Sequence, residues 1–326
     1  MRILVVGLGS MGKRRIRLLK KISGDFSIIG VDSNNERADY AKKEYGIEVC
    51  TDLEEAVKDY HPDCAVVSTA PISHAAIIKR CLMAGMHVFT ELNLVNNGYE
   101  ENIRLAEEQK KILFLSSTFL YRDEIQYILK KTKEYQGRMN YCYHVGQYLP
   151  DWHPWESFEN FFVGKKETNG CREIFAIELP WLTEAFGGIE HIHVVSGKNT
   201  DLNIDYQDNY IVLIQHKTGH KGMLAVDIMS RKAVRNLEIY GEYLYMEWNG
   251  SPTGLKEYDW KEKKERSIAL YNNIDTIEGY SSFVIENAYE NELKAFFEAI
   301  EKGTEPRYSF KKDLAVLDWI DRIEEK

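Results

Sequence analysis

Short apolar runs alternate with amphipathic stretches through the first third of the chain. Arg2 to Val6 reads as a buried strand, and Gly12 to Ile22 then carries Ile16, Leu18, Leu19 and Ile22 at helical spacing. The alternation continues with a strand at Ser27 to Asp32, helices at Glu36 to Tyr45 and Leu53 to Tyr60, and an apolar strand at Cys64 to Ser68. A helix at His74 to Ala84, a strand at His87 to Thr90, a helix at Tyr99 to Lys110 and a strand at Ile112 to Ser116 follow. Strands separated by helices of about 10–15 residues predict a doubly wound parallel sheet with helices on both faces. This first domain is expected to span 1–118.

A helix near Ile125 to Tyr135 precedes a change of texture, with aromatic and polar residues mixed over Met139 to Tyr148 and an aromatic-rich stretch from Tyr148 to Phe162. Tyr210 to Gln215, Gly222 to Met229, Asn236 to Tyr240 and Tyr243 to Trp248 read as strands, the first pair joined by Lys217-Thr218-Gly219-His220. They suggest an antiparallel sheet in a second domain spanning 119–326. Ala288 to Lys302 and Leu314 to Ile323 are amphipathic helices.

Between the first strand and the first helix lies Gly7-Leu8-Gly9-Ser10-Met11-Gly12, a G-x-G-x-x-G loop in the context that gives this motif its meaning. Glycine permits the tight turn and close backbone approach to a pyrophosphate, and the helix N-terminus offers N–H groups and partial positive charge. Asp32 lies twenty residues after Gly12, at the end of the second strand, where a carboxylate accepts hydrogen bonds from ribose hydroxyls. The expected ligand is therefore NAD(H) in a Rossmann-type domain. An acid there repels a 2′-phosphate, so NADP is the lesser expectation, with Arg37 keeping the exception open. Arg14 and Arg15, just past the last glycine, read at least as well as solvated helix residues as ligand contacts.

Composition narrows the partners. A net charge of −9 and a pI near 5.6 leave no global positive field, so neither nucleic acid nor a membrane surface is expected. The first residues lack the features of a signal peptide, and no apolar run approaches 18 residues. Cys50, Cys64, Cys81, Cys142 and Cys171 are odd in number and show no CxxC spacing, which predicts reduced core thiols and a cytoplasmic protein.

Ser68-Thr69-Ala70-Pro71-Ile72-Ser73-His74, followed by Ala84-Gly85-Met86-His87-Val88-Phe89-Thr90-Glu91, resembles the Gfo/Idh/MocA oxidoreductases, as do Phe119-Leu120-Tyr121-Arg122 and Asn291-Glu292-Leu293-Lys294-Ala295-Phe296. The resemblance implies a Rossmann domain followed by an α/β domain with a large, mostly antiparallel open sheet that pairs copies into a homodimer or homotetramer. It implies a sugar, sugar phosphate, inositol or nucleotide sugar as substrate. It also places Thr69, Pro71 and His74 beside the dinucleotide and Glu91 near the nicotinamide ribose, although His74 reads equally as a residue capping the start of its helix.

Two family motifs are broken. The usual E-K-P lysine aligns with Leu92, and the motif G-G-G-x-x-x-D-x-G-x-H-x-x-D aligns with the Asn169 to Trp181 segment, placing Glu178 at the histidine and Trp181 at the final aspartate. Oxidation of an alcohol still needs a base. Glu178, half buried beside Phe175, Pro180 and Trp181, is the leading candidate through a raised pKa. A structural carboxylate paired with a nearby arginine such as Arg172 carries equal weight. Tyr121 and His153 are further catalytic candidates, and Arg122, Trp152, Arg172 and Trp181 are candidates for substrate contact, with Arg122 suited to gripping a phosphate or carboxylate. The stretch from Gly146 to Trp155 suggests an aromatic loop over a sugar, or packing at the domain seam. His191 and His193 have a spacing metals use, but no further ligand is near and no metal is expected.

Three functions remain open from sequence. The first is an NAD-dependent sugar oxidoreductase, with a weak tilt towards nucleotide sugars and surface polysaccharide. The second is an NAD-assisted epimerase or eliminase without net redox change, and the third a dinucleotide-binding sensor or subunit.

Overall fold

A computed structural model describes residues 1–152, 157–276 and 283–325. The chain forms two compact units, one of Met1–Thr118 with Tyr289–Ala315, the other of Phe119–Ala288 with Val316–Lys326. A linear division at residue 118 does not describe the return of Tyr289–Ala315 to the first unit.

In the first unit the order is β1 (Arg2–Val6), α1 (Ser10–Ile22), β2 (Ser27–Val31), α2 (Asn35–Tyr45), β3 (Glu48–Cys50), α3 (Leu53–Tyr60), β4 (Cys64–Val67), α4 (Pro71–Met83), β5 (His87–Thr90), α5 (Tyr99–Glu108) and β6 (Leu113–Leu115). The six strands run parallel in the order β3-β2-β1-β4-β5-β6. Continuous apolar strands suit this position, since a parallel sheet is covered on both faces. Ile3, Leu4, Val5, Ala65, Val66 and Val67 are all fully buried. Phe89 stacks on Phe114 at 5.3 Å, and Phe296 presents its edge to both rings at 5.7 Å, so the returning segment seals one face.

The second unit opens with α6 (Asp123–Glu134) and contains β7 (Asn140–Gly146), α7 (Gly170–Phe186), β8 (Ile189–Gly197), β9 (Asn209–His216), β10 (Lys221–Asp227), β11 (Val234–Gly241), β12 (Leu244–Trp248), β13 (Leu255–Asp259) and β14 (Lys264–Ser267). The last helices are α8 (Glu286–Lys302) and α9 (Phe310–Glu324). Eight strands form a sheet in the order β14-β13-β12-β11-β7-β10-β9-β8, antiparallel throughout except that β7 lies parallel to β10.

Period-two burial sets the register. Tyr210, Val212, Ile214 and His216 of β9 point inward, and Tyr141, Tyr143 and Val145 of β7 do the same. Strand β7 is central, although its mixture of polar and aromatic residues concealed it. Helix α7 was likewise hidden, because nearly all of its surface is buried and no polar face marks its period.

His216 tests this packing. It has no exposed surface, its Nδ1 lies 2.6 Å from the Gly187 carbonyl and its Nε2 3.1 Å from the Tyr141 hydroxyl. Burial pushes its pKa down from 6.5 to about 4. A depressed histidine pKa means that the unfolded chain binds the proton first, so stability is complete above pH 6.5 and falls as pH drops towards 4. Lowering the pH from about 7 to about 5 is expected to remove about 2 kcal/mol through this group. Urea unfolding at both pH values should show that loss reduced in His216→Gln relative to the parent.

Candidate functional site

The glycine loop is built by exclusion of side chains. Gly7 has φ of 91°, a conformation open to glycine, and a Cβ there would sit 2.7 Å from the Ser68 carbonyl oxygen. A Cβ on Gly12 would lie 1.8 Å from the Gly7 carbonyl oxygen, so the helix can pack on the turn only without one. Around Gly9, by contrast, nothing lies within 4 Å of the added atom. The loop thus leaves open space at the start of α1, where Gly9 is the N-cap, no side chain caps the helix and no acid occupies the first turn. Ser10 is exposed and Met11 half-buried at this helix start. That cradle fits a dinucleotide pyrophosphate.

Asp32 is buried beyond the end of β2. Its Oδ2 accepts from the Leu8 amide at 2.8 Å and its Oδ1 from the Asn34 amide at 2.9 Å, which ties the glycine loop to the neighbouring strand end. Each carboxylate oxygen retains acceptor capacity for a ribose hydroxyl. Arg37 stands 4.0 Å from Asp32, half exposed.

Thr69 is half-buried, with its hydroxyl 2.9 Å from Ser73 Oγ, and Pro71 occupies the first position of α4, where its missing N–H costs nothing. His74 is buried, its Nε2 lying 2.9 Å from the Thr69 carbonyl and its Nδ1 2.5 Å from the side-chain oxygen of Asn93. Burial lowers its pKa despite both contacts. The imidazole therefore ties the turn after β4 to the segment after β5, a positioning function that caps no helix N–H. Glu91 is also engaged.

The expectation of solvated arginines on α1 needs correction, since Arg14 and Arg15 are both buried. The Arg15 guanidinium forks onto Glu91 through Nε at 2.7 Å and Nη2 at 2.8 Å, and Nη2 reaches Glu292 at 2.9 Å. Glu292 also accepts from the Ser117 amide at 2.7 Å and the Ser116 hydroxyl at 3.0 Å. Burial raises the pKa of Glu292 against the pull of Arg15. Sequence reasoning missed this cluster because its members lie 76 and 277 residues apart.

In the second unit, Glu178 and Trp181 come together. Glu178 is fully rather than half buried, and its partner is Arg235 rather than Arg172, with Arg235 Nη2 at 2.7 Å and Nε at 3.1 Å from Oε1. Its Oε2 accepts from the Tyr143 hydroxyl at 2.8 Å and the Trp181 indole at 2.7 Å. Four donors on one carboxylate describe an anchored ion pair.

The other candidates are held by their own neighbours. Arg172 donates to Asp321 at 2.6 Å and pairs with Glu324. Arg122 is buried between the rings of Phe119 and Trp248 and binds Glu124 at 2.6 Å and the Phe283 carbonyl at 2.8 Å. Tyr121 is half-buried beside it. Trp152 donates to the Gln147 carbonyl at 3.0 Å, in a turn that hydrogen-bonds back to Ile228 and Ser230. His153 lies outside the described residues. His191 and His193 are exposed on β8, and among the described residues no group of three or more His, Cys, Asp or Glu is placed to hold a metal. No helix among them is long and apolar enough to cross a membrane.

Residues 1–117 match the Gfo/Idh/MocA model, that of an oxidoreductase family with an NAD-binding Rossmann fold. The matched residues include the glycine loop and all six strands of the parallel sheet. A 4-carboxy-2-hydroxymuconate-6-semialdehyde dehydrogenase of a Sphingobium species is 28% identical over 134 residues, 40% of this chain and 42% of that protein. A myo-inositol 2-dehydrogenase of Thermotoga maritima is 29% identical over 135 residues, 41% of this chain and 40% of the relative. The match thus spans about two fifths of each curated relative's length. The structure of a UDP-N-acetylglucosamine 3-dehydrogenase from Acidithiobacillus ferrooxidans shares the fold, with a TM-score of 0.77 at 17% identity, covering 99% of this chain and 96% of the other.

Proposed function

We propose that the chain is an NAD-dependent dehydrogenase that oxidises a secondary alcohol of a sugar, sugar phosphate or nucleotide sugar. The glycine loop carries the reading, with side chains excluded at Gly7 and Gly12, open space at Gly9, and Asp32 at the end of β2. NAD, when bound, accepts the hydride that leaves the carbinol carbon. The Gly7–Gly12 backbone and the start of α1 would hold its pyrophosphate and Asp32 its adenosine ribose, while Thr69, Pro71 and the His74 clasp shape the adjoining turn. The relatives named above act, by their names, on a semialdehyde, an inositol and a nucleotide sugar, which supports a small polar substrate. A role in surface polysaccharide synthesis is the narrower version of this proposal.

Val195, Ile211, Leu213 and Met223 lie exposed on one face of the antiparallel sheet and support pairing of two copies there, in a homodimer or in a homotetramer built from such pairs. Sedimentation of a Leu213→Glu variant as monomer, with the parent as an oligomer, is the expected outcome.

A second reading, dinucleotide binding without hydride chemistry, draws on Leu92 at the usual lysine and on the fourfold engagement of Glu178. Calorimetric titration with NAD, NADH, NADP and NADPH followed by a sugar-alcohol screen separates the two. Asp32→Ala is expected to weaken NAD binding about 10- to 100-fold, the loss for hydrogen bonds to a charged acceptor, and to narrow the preference over NADP. Unchanged affinity would remove Asp32 from the site, and tight binding without turnover would favour the binding protein.

A further inference from the structure

Arg15 stands on α1, three residues past the last glycine of the loop, and each of its three nitrogens has an acceptor in the first unit. Besides Glu91 and Glu292, the Tyr289 carbonyl takes Nη1 at 3.3 Å, and the Phe89 ring lies 4.5 Å from the guanidinium. Burial opposes the charge, but Glu91 and Glu292 outweigh it and hold the pKa above the ordinary arginine value. The result is a fixed cation with two acids.

The two acids differ in access. Glu292 has no exposed surface, and its oxygens also take the Ser117 amide and the Ser116 and Thr118 hydroxyls. Glu91 keeps 11% of its side chain exposed. Its Oε1 receives Arg15 Nε and the Ser68 hydroxyl at 3.2 Å, while its Oε2 receives only Arg15 Nη2. A carboxylate offers about four acceptor positions, so one stays open on Oε2.

The sheet gives that open position a meaning. Strand order reverses between β1 and β4, and a dinucleotide crosses the carboxyl ends of the strands at such a point. With the pyrophosphate at the loop after β1 and the adenosine ribose at Asp32 after β2, the second nucleoside falls on the β4 and β5 side. Glu91 is the first residue past β5, and its amide donates to the Val67 carbonyl at the end of β4. Ser68, its hydroxyl partner, packs on the glycine loop itself, since a Cβ on Gly7 would meet the Ser68 carbonyl oxygen at 2.7 Å.

We propose that Arg15 is a positioning residue for NAD, holding Glu91 so that its open oxygen accepts a hydroxyl of the nicotinamide ribose, with Glu292 locking Arg15 in place. The assignment rests on the NAD-binding part of the reading above and deepens it. Arg15 and Glu292 act through Glu91. The lock belongs to α8, which also grips α1 through Glu290 on Lys21 at 2.7 Å and through the Tyr289 ring under Arg14 at 4.4 Å.

ADP carries the adenosine and pyrophosphate but no second ribose, so calorimetry with NAD and with ADP separates positioning of Glu91 from general damage to the fold. Arg15→Lys keeps the charge and loses the fork onto Glu91. It is expected to weaken NAD about 10-fold or more and ADP by less than about twofold, as for a lost hydrogen bond to a charged group. Glu91→Gln should show the same split, and the double variant should bind NAD no more weakly than Glu91→Gln alone, since both changes remove one interaction. Equal losses for the two ligands, no loss, or additive losses in the double variant overturn the assignment. Should Arg15→Lys fail to fold, hydrogen exchange of the parent decides. Saturating NAD is expected to slow exchange of the α8 amides around Glu292 more than saturating ADP does, and equal slowing overturns the assignment. If the parent binds neither NAD nor ADP, the dinucleotide reading falls and takes this one with it. If the parent binds NAD and the variants keep its ratio of affinities, the positioning alone falls.

Discussion

Glu178→Ala is expected to lower the unfolding free energy by about 3–5 kcal/mol, the range for breaking one side of a buried ion pair. The carboxylate has no exposed surface and the Arg235 side chain little, so alanine leaves a guanidinium without its counter-charge in a dry site. The Tyr143 hydroxyl and Trp181 indole lose their acceptor as well, and a cavity opens between β7 and α7. A lower urea midpoint with an unchanged slope is the signature. Glu178→Leu combined with Arg235→Leu should recover part of the loss, because no uncompensated charge then remains. An alanine variant within about 1 kcal/mol of the parent would show that the pair does not hold this unit together.

Gly12→Ala is expected to weaken NAD binding about 100-fold or more, equivalent to roughly 2.7 kcal/mol. The added methyl would stand 1.8 Å from the Gly7 carbonyl oxygen and 2.9 Å from its carbon, both backbone atoms that no rotamer can move aside. The turn must open, and the helix start moves away from the phosphate position. Gly9→Ala is the informative companion, since its methyl meets nothing in the chain within 4 Å. That variant should keep the parent's melting temperature yet lose binding, because the methyl enters the space assigned to the pyrophosphate. Parent-like affinity in Gly9→Ala would mean that the phosphates lie elsewhere.

Both predictions show what could be read from the chain alone. Five strands of the parallel sheet were legible because short, largely apolar runs alternate with amphipathic helices, whereas the edge strand β3, Glu48-Val49-Cys50, is short and lacks a buried apolar run; the glycine loop was legible because its parts are contiguous and strand and helix signals flank it. Asp32 was reachable by counting from Gly12. Strand β7 was not, since its partners β10 and β11 come far later and its inward tyrosines look like surface residues in isolation. Helix α7 showed no period because it buries nearly every side. Glu178 drew attention as the acid at a motif position, but no spacing could reveal that Arg235 would meet it 57 residues later.

The return of Tyr289–Ala315 to the first unit also governs how the protein is made. Arg15 is balanced by Glu91 and by Glu292, and the second acid emerges from the ribosome 277 residues after the arginine, a wait of roughly tens of seconds at about 5–20 residues per second. Through that interval the nascent sheet lacks the Phe296 cover over Phe89 and Phe114, and the Ser117 amide lacks its acceptor. The N-terminal unit is therefore translated ahead of the second and completed only after it, once Tyr289–Ala315 has been made.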